Sequence, residues 1–217
     1  MPDRQIVIVG GGRHAVEAFY LLEDIGESDS VVAFAQDVVE PGKCLLNLPV
    51  ITVEEVLSNP MNGLHPLLLG AIGDIQSNKR LVELFNSKGF EFLSAIAKQV
   101  PQHRQKHLGK GITISQGTVL TTNVTVGDHS MINIGCTLSH DVMVGKFVNI
   151  SPGVHLAGYA KIEDEVFIGT GATVIPHVTV GKGCYIAAGA CVTKDIPPYS
   201  MAAGVPAVVK KSLNGRS

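Results

Sequence analysis

The chain has 217 residues, of which 45% are hydrophobic and 17% charged, with no tryptophan and a formal net charge of −2. That length suits one or two domains. The near-neutral charge, with no cluster of Lys and Arg, argues against nucleic acid as the main partner, and no apolar run reaches the ~20 residues of a membrane helix.

Met1 to Gln5 leads directly into a strand, so a cytoplasmic protein is expected. Gln5 to Val9 reads as a buried strand, Gly10, Gly11 and Gly12 as a tight turn, and Val16 to Glu23 as a helix. A glycine turn between strand and helix serves either as a plain connection or as a phosphate cradle of backbone N–H groups. A second strand, Val31 to Ala35, ends at Asp37, some twenty-five residues past the glycines, where dinucleotide-binding folds often place a ribose-binding acid. A third strand, Pro66 to Ala71, runs into Ile72, Gly73 and Asp74, and a helix follows from Asn78 to Ser87. This is a short Rossmann-like βαβαβ unit with ligands expected at the carboxyl ends of its strands. It is too short for the usual six-stranded dinucleotide sheet, which favours a nucleotide-bearing substrate over a hydride-transfer cofactor.

The segment from Lys88 to Gly111 joins two parts, giving domains at 1–97 and 98–217. His103 and His107 have the i, i+4 spacing of a metal pair on a helix, but nothing nearby supplies a third ligand, and no metal is expected.

From Leu108 onward, every sixth residue is aliphatic: Leu108, Ile114, Leu120, Val126, Ile132 and so on through Ile186 to Val192, fifteen beats without a slip. Gly109, Gly127, Gly145, Gly169 and Gly181 follow a beat directly, and four residues after a beat stand small or β-branched residues such as Ser130, Val148, Ala172 and Ala190. A period of six fits neither a helix nor a lone strand, so it describes a solenoid. With three hexads per triangular coil, the beats build five coils of eighteen residues, a prism about 24 Å long. Two of the four cysteines, Cys136 and Cys184, fall at the small inward position; with Cys44 and Cys191 they form no CxxC pair, and all four read as reduced thiols.

Few residues of the solenoid can do side-chain chemistry. His140 and Asp141 stand at a coil corner, where a turn alone is needed; the pair is either a solvated corner or a general base with its partner, since an imidazole titrates near pH 6.5.

The run Ile132-Asn-Ile-Gly-Cys-Thr-Leu-Ser-His-Asp-Val-Met-Val-Gly145 is joined by Ser151-Pro-Gly-Val-His-Leu-Ala-Gly158, Ile168-Gly-Thr-Gly-Ala-Thr-Val-Ile-Pro176 and Gly204-Val-Pro-Ala207. Together they resemble the hexapeptide-repeat sugar O- and N-acetyltransferases of the sialic acid and bacillosamine type, and with the amino-terminal unit the resemblance covers nearly the whole chain. It implies an α/β domain followed by a left-handed parallel β-helix, the hand opposite to ordinary crossovers. It further implies acetyl-CoA as co-substrate, a homotrimer, and His140 as general base with Asp141 as its acidic partner. One coil on from His140, Gly158 would turn its N–H toward the acetyl carbonyl. Thr170, Pro176, Ala188, Val205 and Pro206 would line coenzyme A in a groove between subunits, and Lys210 or Lys211 would meet its phosphate or simply be solvated. Gly10, Gly12, Arg13, His14, Asp37, Gly73 and Asp74 are the residues placed to bind the nucleotide.

The implied reaction is N-acetylation of a nucleotide-linked amino sugar, a 4-amino-4,6-dideoxy sugar for a bacterial surface glycan, with O-acetylation of a sialic-acid-like sugar as the alternative. Three positions depart from the family pattern: Asn149 stands where a second His is usual, Gln36 and Asp37 replace an acidic pair, and Ser94-Ala95-Ile96 replaces an Ile-His-Pro lead-in. His129, His155 and His177 occupy outward repeat positions with nothing convergent in sequence, and His65 reads as loop.

Overall fold

The computed structural model describes residues 5–58 and 65–213, and the chain divides into two compact units, Met1–Ala95 and Ile96–Ser217. The lead-in from Met1 to Arg4 lies outside the described residues.

In the first unit, β1 (Ile6–Val9) is an unbroken, fully buried aliphatic run, as a strand covered on both faces must be. It pairs in parallel with β2 (Val31–Gln36) on one side and β5 (Leu67–Gly70) on the other. The sheet extends through β4 (Leu48–Thr52), parallel to β2, and β3 (Cys44–Leu45), antiparallel to β4, giving the order β3-β4-β2-β1-β5.

The sequence reading expected three strands here, and β3, β4 and the short α2 (Val53–Ser58) escaped it. Pro49 makes that stretch read as a break, yet β4 bonds to β2 only through Val50, Ile51 and Thr52, so the missing N–H of proline disturbs nothing. The two long helices, α1 (Arg13–Ile25) and α3 (Ile75–Ser87), each start three residues earlier than their apolar stripes indicate. Asp74 caps α3, its carboxylate accepting the Ser77 N–H at 2.8 Å, and α1 stops at Gly26, whose φ of 87° suits glycine. On one face of the sheet, Val7, Val9, Ala35 and Leu68 form a core with Val53 and Val56 of α2 and Leu81 and Phe85 of α3.

The second unit carries the sixfold rhythm. Fifteen two-residue strands, from His107–Leu108 to Cys191–Val192, each end on an aliphatic beat. They form three parallel sheets in which residue i pairs with residue i+18, as Val126 with Val144 and Leu138 with Leu156. The beats from Ile114 to Val192 are at most 2% exposed. Inward small positions that are polar are satisfied within the prism: Ser130 Oγ donates to the Gly145 carbonyl at 2.8 Å, and Thr118 Oγ1 to that of Asn133 at 2.7 Å. Cys136 and Cys184 are buried there as free thiols, and burial pushes both thiols above their ordinary range.

Two different constraints shape the corners. The glycine after a beat is required by the next coil: a β-carbon on Gly127 would lie 2.6 Å from the Gly145 backbone carbon and oxygen. Two residues further on, every sixth residue from Gly111 to Gly189 has a left-handed φ, which costs a non-glycine residue roughly 1 kcal/mol. One of these three corner columns is all glycine (Gly117, Gly135, Gly153, Gly171, Gly189), whereas another reads Asn123, Asp141, Tyr159, His177. Beyond the last coil, Ser200–Ala203 continues one sheet and pairs antiparallel with the exposed strand Val208–Ser212, a hairpin where the sequence suggested only a tail.

Candidate active site

The coil corner that follows the strands ending at Leu138, Leu156 and Val174 stacks His140, Gly158 and Pro176 at intervals of eighteen residues, as expected. The His140 ring lies directly over Gly158: a β-carbon at Gly158 would sit 2.7 Å from both Cε1 and Nε2 of the imidazole. Glycine at 158 is therefore the space the ring occupies, and it is buried beneath a half-exposed imidazole. On the ring's other edge, Nδ1 meets Asp141 Oδ2 at 3.0 Å. Asp141 is held by more than His140. Its carboxyl is drawn below its ordinary range by the hydrogen bond from His140 and also by those from Asn123 and Tyr159, which outweigh partial burial. A carboxylate on Nδ1 orients the ring and leaves Nε2 as the position that takes up a proton.

Two aromatic neighbours complete the corner, and the sequence reading assigned neither to it. Tyr159 stands edge-on to His140 with ring centroids 5.2 Å apart, and His177 stacks flat on Tyr159 at 4.8 Å with planes 7° apart. The eighteen-residue step that leads from His140 to Gly158 also leads from Asp141 to Tyr159 and on to His177, so the signal was present in the spacing. Other histidines have local partners. His155 Nδ1 is 2.8 Å from Thr137 Oγ1, and His129 stacks on Phe147. Asn149, where the family pattern has histidine, is buried, and its Oδ1 lies 3.4 Å from Asn133 Nδ2.

Thr170 and Ala188, exposed and one coil apart, lie on a different corner from His140. The face carrying Thr137, His155 and Thr173 separates the two edges, so one protomer does not bring them together. Val205 and Pro206 are exposed beyond the last coil, as are Lys210 and Lys211 on the terminal hairpin. On the neighbouring face, an open groove of about 600 Å³ is bordered by Asp128, Lys146, Lys161, Glu163 and Lys182. Its charges are paired: Lys146 with Asp128 at 2.9 Å and Lys182 with Glu165 at 3.3 Å tie successive coils together, and Lys161 meets Glu163 of its own coil at 3.0 Å.

In the first unit, Gly10 has a φ of 152°, and a β-carbon there would lie 2.5 Å from the Ala71 carbonyl oxygen, so the turn demands glycine. Gly12 begins α1, Arg13 is exposed on its first turn, and His14 Nδ1 faces Glu17 Oε2 at 3.2 Å. The Gln36 side chain lies across Gly11, and Asp37 pairs with Arg80 at 2.5 Å. Gly73 is exposed ahead of Asp74, whose carboxylate is engaged as the α3 cap. All of these cluster at the carboxyl ends of β1, β2 and β5.

His103 falls in a short turn, Gln102–Arg104, and His107 in a strand, so the two do not share a helix. Among the described residues no group of three or more His, Cys, Asp or Glu is placed to hold a metal, and no helix is long and apolar enough to cross a membrane.

Residues 159–194 match the bacterial transferase hexapeptide (six repeats) model. A comparison with curated protein sequences finds no match. Among solved structures, PerB from Caulobacter crescentus, in complex with CoA and GDP-perosamine, is 30% identical, with 96% of this chain and 98% of that one covered and a TM-score of 0.86. The acetyltransferase domain of PglB from Neisseria gonorrhoeae FA1090 is 28% identical over 95% of this chain and 100% of that one, with a TM-score of 0.86. WeeI from Acinetobacter baumannii AYE is 26% identical over 95% and 99%, with a TM-score of 0.85. The fold is a small α/β domain followed by a left-handed parallel β-helix, and the chain belongs to the hexapeptide-repeat sugar N-acetyltransferases.

Proposed function

We propose that this protein transfers the acetyl group of acetyl-CoA to the amino group of a nucleotide-diphosphate-linked amino sugar, with His140 as general base. The observation that carries the reading is the stack of His140 over Gly158, with Asp141 on Nδ1. Nε2 of His140 takes the proton that the acceptor nitrogen sheds as its bond to the thioester carbon forms. The same proton then goes to the sulfur as the carbon–sulfur bond breaks, so the imidazole ends as it began. The Gly158 N–H is assigned to the carbonyl oxygen as negative charge develops on it. Asp141 holds the ring in one tautomer and offsets its positive charge while the proton is carried.

The separation of His140 from Thr170 and Ala188 on two edges of one face supports a homotrimer packed side by side, in which one subunit's His140 edge meets the next subunit's Thr170 edge to receive coenzyme A. Pro176, Val205 and Pro206 belong to the same proposed groove. The nucleotide end of the acceptor is assigned to Gly10, Gly12, Arg13, His14, Asp37, Gly73 and Asp74, with Arg80 holding the Asp37 carboxylate in place. PerB, the relative solved with GDP-perosamine, makes a 4-amino-4,6-dideoxy sugar the first acceptor to test. The product would serve a bacterial surface glycan, and a cytoplasmic site fits both the supply of acetyl-CoA and the free cysteines.

The test is thiol release from acetyl-CoA with UDP-, dTDP- and GDP-linked 4-amino-4,6-dideoxy sugars, with sialic acid as the hydroxyl control. Turnover on an amino sugar is expected. Turnover on the hydroxyl control alone would move the protein to O-acetyl transfer.

A further inference from the structure

We propose that Tyr159 is a positioning residue for His140, packing edge-on against its imidazole, and that His177 holds Tyr159 in place. The inference rests on the reading of His140 as general base and adds residues that the motif around His140 does not contain.

Three observations converge. The first is geometric: the His140 imidazole is confined by two neighbours. Asp141 meets its Nδ1 at 3.0 Å and is itself bonded to Asn123 of the coil before, whose Nδ2 lies 3.4 Å from Oδ1, so the carboxylate cannot rotate without breaking one of these bonds. Tyr159, one coil after Asp141, supplies the second neighbour, standing at 85° to the ring with centroids 5.2 Å apart.

The second observation is conformational. Asn123, Asp141, Tyr159 and His177 occupy the left-handed corner position, with φ of 57°, 59°, 62° and 63°. Asn, Asp and His tolerate that region better than most residues, but Tyr is disfavoured there.

The third is burial. Tyr159 is 51% exposed and His177 is exposed too, so their stack at 4.8 Å does not fill the core. A tyrosine is kept at a strained, exposed position beside the imidazole placed for proton transfer, with a second ring stacked on it. Strain held at such a place points to function.

The arrangement has a definite chemical consequence. As His140 takes a proton, Asp141 must stay ionised and in register with Nδ1–H. Removing the Tyr159 ring frees the imidazole to swing off Gly158, whereas removing its hydroxyl alone leaves the ring packing in place. Displacement of a catalytic group by about 1 Å is enough to cost on the order of 100-fold in rate. Neither change touches the thioester, so kcat is the parameter affected.

The experiment compares Tyr159→Phe, Tyr159→Gly and His177→Gly with wild type and with His140→Ala, reading kcat, KM for acetyl-CoA, the pH profile of kcat and Tm. The expected result is a fall in kcat of about 50-fold for Tyr159→Gly and about 5-fold for His177→Gly, with Tyr159→Phe within about twofold of wild type, at a KM for acetyl-CoA within twofold of wild type. Tm should be unchanged or higher in the glycine variants, because each relieves a left-handed side chain. Activity kept in Tyr159→Phe and lost in Tyr159→Gly at an unchanged Tm is the rescue that a merely structural role would not give. Wild-type kcat in all three variants while His140→Ala is inactive overturns the proposal and leaves the general-base reading standing. A fall in kcat matched by a fall in Tm in every variant overturns it as well. If His140→Ala keeps full activity, the general-base reading fails and the proposal falls with it.

Discussion

The imidazole of His140 occupies the volume that a side chain on Gly158 would need: a β-carbon there would come within 2.7 Å of Cε1 and Nε2. The atoms in the way belong to a half-exposed side chain, so the ring, not the backbone, must give. Gly158→Ala is therefore expected to fold with a Tm close to wild type while kcat falls about 100-fold, because the ring is pushed away from its working position. Paired measurements of Tm and kcat check this; a variant that turns over at the wild-type rate would show that the stack does not matter to catalysis.

Gly127→Ala makes the opposite case. Its new β-carbon would meet the backbone of Gly145 at 2.6 Å, and backbone in the next coil cannot step aside. A loss of about 1–3 kcal/mol in stability is expected, with kcat per folded molecule unchanged. Chemical denaturation alongside initial rates distinguishes it from Gly158→Ala.

The interior should respond as a stacked core. Ile150 is fully buried and pairs with coils on either side, so Ile150→Ala is expected to cost about 3 kcal/mol from lost burial and the cavity left behind. Equilibrium unfolding in urea measures it, and a cost below about 1 kcal/mol would mean that the prism collapses around the gap.

His129 gives a pH prediction of definite sign. Burial pushes its imidazole below the ordinary 6.5, aided by Lys146 and opposed by Asp128. The unfolded chain therefore takes up this proton more readily than the folded one. The stability linked to His129 is present above pH 6.5 and is lost as pH falls through the lowered folded value. His129→Asn, which tolerates the φ of 57°, is expected to flatten the Tm profile in that window. An unaltered slope would place the acid sensitivity elsewhere.

Asp141 has the opposite reach. Hydrogen bonds, that from His140 first, hold its carboxyl below the ordinary 3.8, so the stabilisation it provides is present above pH 3.8 and is lost only as pH falls through that lower value. The Tm difference between wild type and Asp141→Asn should close only in strong acid, as pH falls below 3.8 through that lower value. A difference that already closes at about pH 5 would mean that Asp141 is not held in this way.

Much of this architecture was legible because it repeats. A beat every six residues predicted the fifteen two-residue strands from His107–Leu108 to Cys191–Val192 and the eighteen-residue step that joins His140 to Gly158. What escaped is what the repeat does not encode. Tyr159 and His177 lie one and two coils from Asp141, but His177 read as an ordinary outward position and Tyr159 carried no signal of its own. The β3 and β4 hairpin was hidden by Pro49, whose break falls just outside the residues that bond to β2. The first turns of α1 and α3 carry little of the apolar stripe and were missed for that reason. In the first unit, the pairing of Asp37 with Arg80 across 43 residues left no local signature.

The most direct measurement is thiol release from acetyl-CoA by wild type and His140→Ala in the presence of nucleotide-linked 4-amino-4,6-dideoxy sugars, with the N-acetylated product followed in parallel. The account predicts one thiol per N-acetyl sugar for wild type, and a loss of about 100-fold or more for His140→Ala with acetyl-CoA still bound. Equal rates for the two proteins, or no thiol with any amino-sugar acceptor, would contradict it.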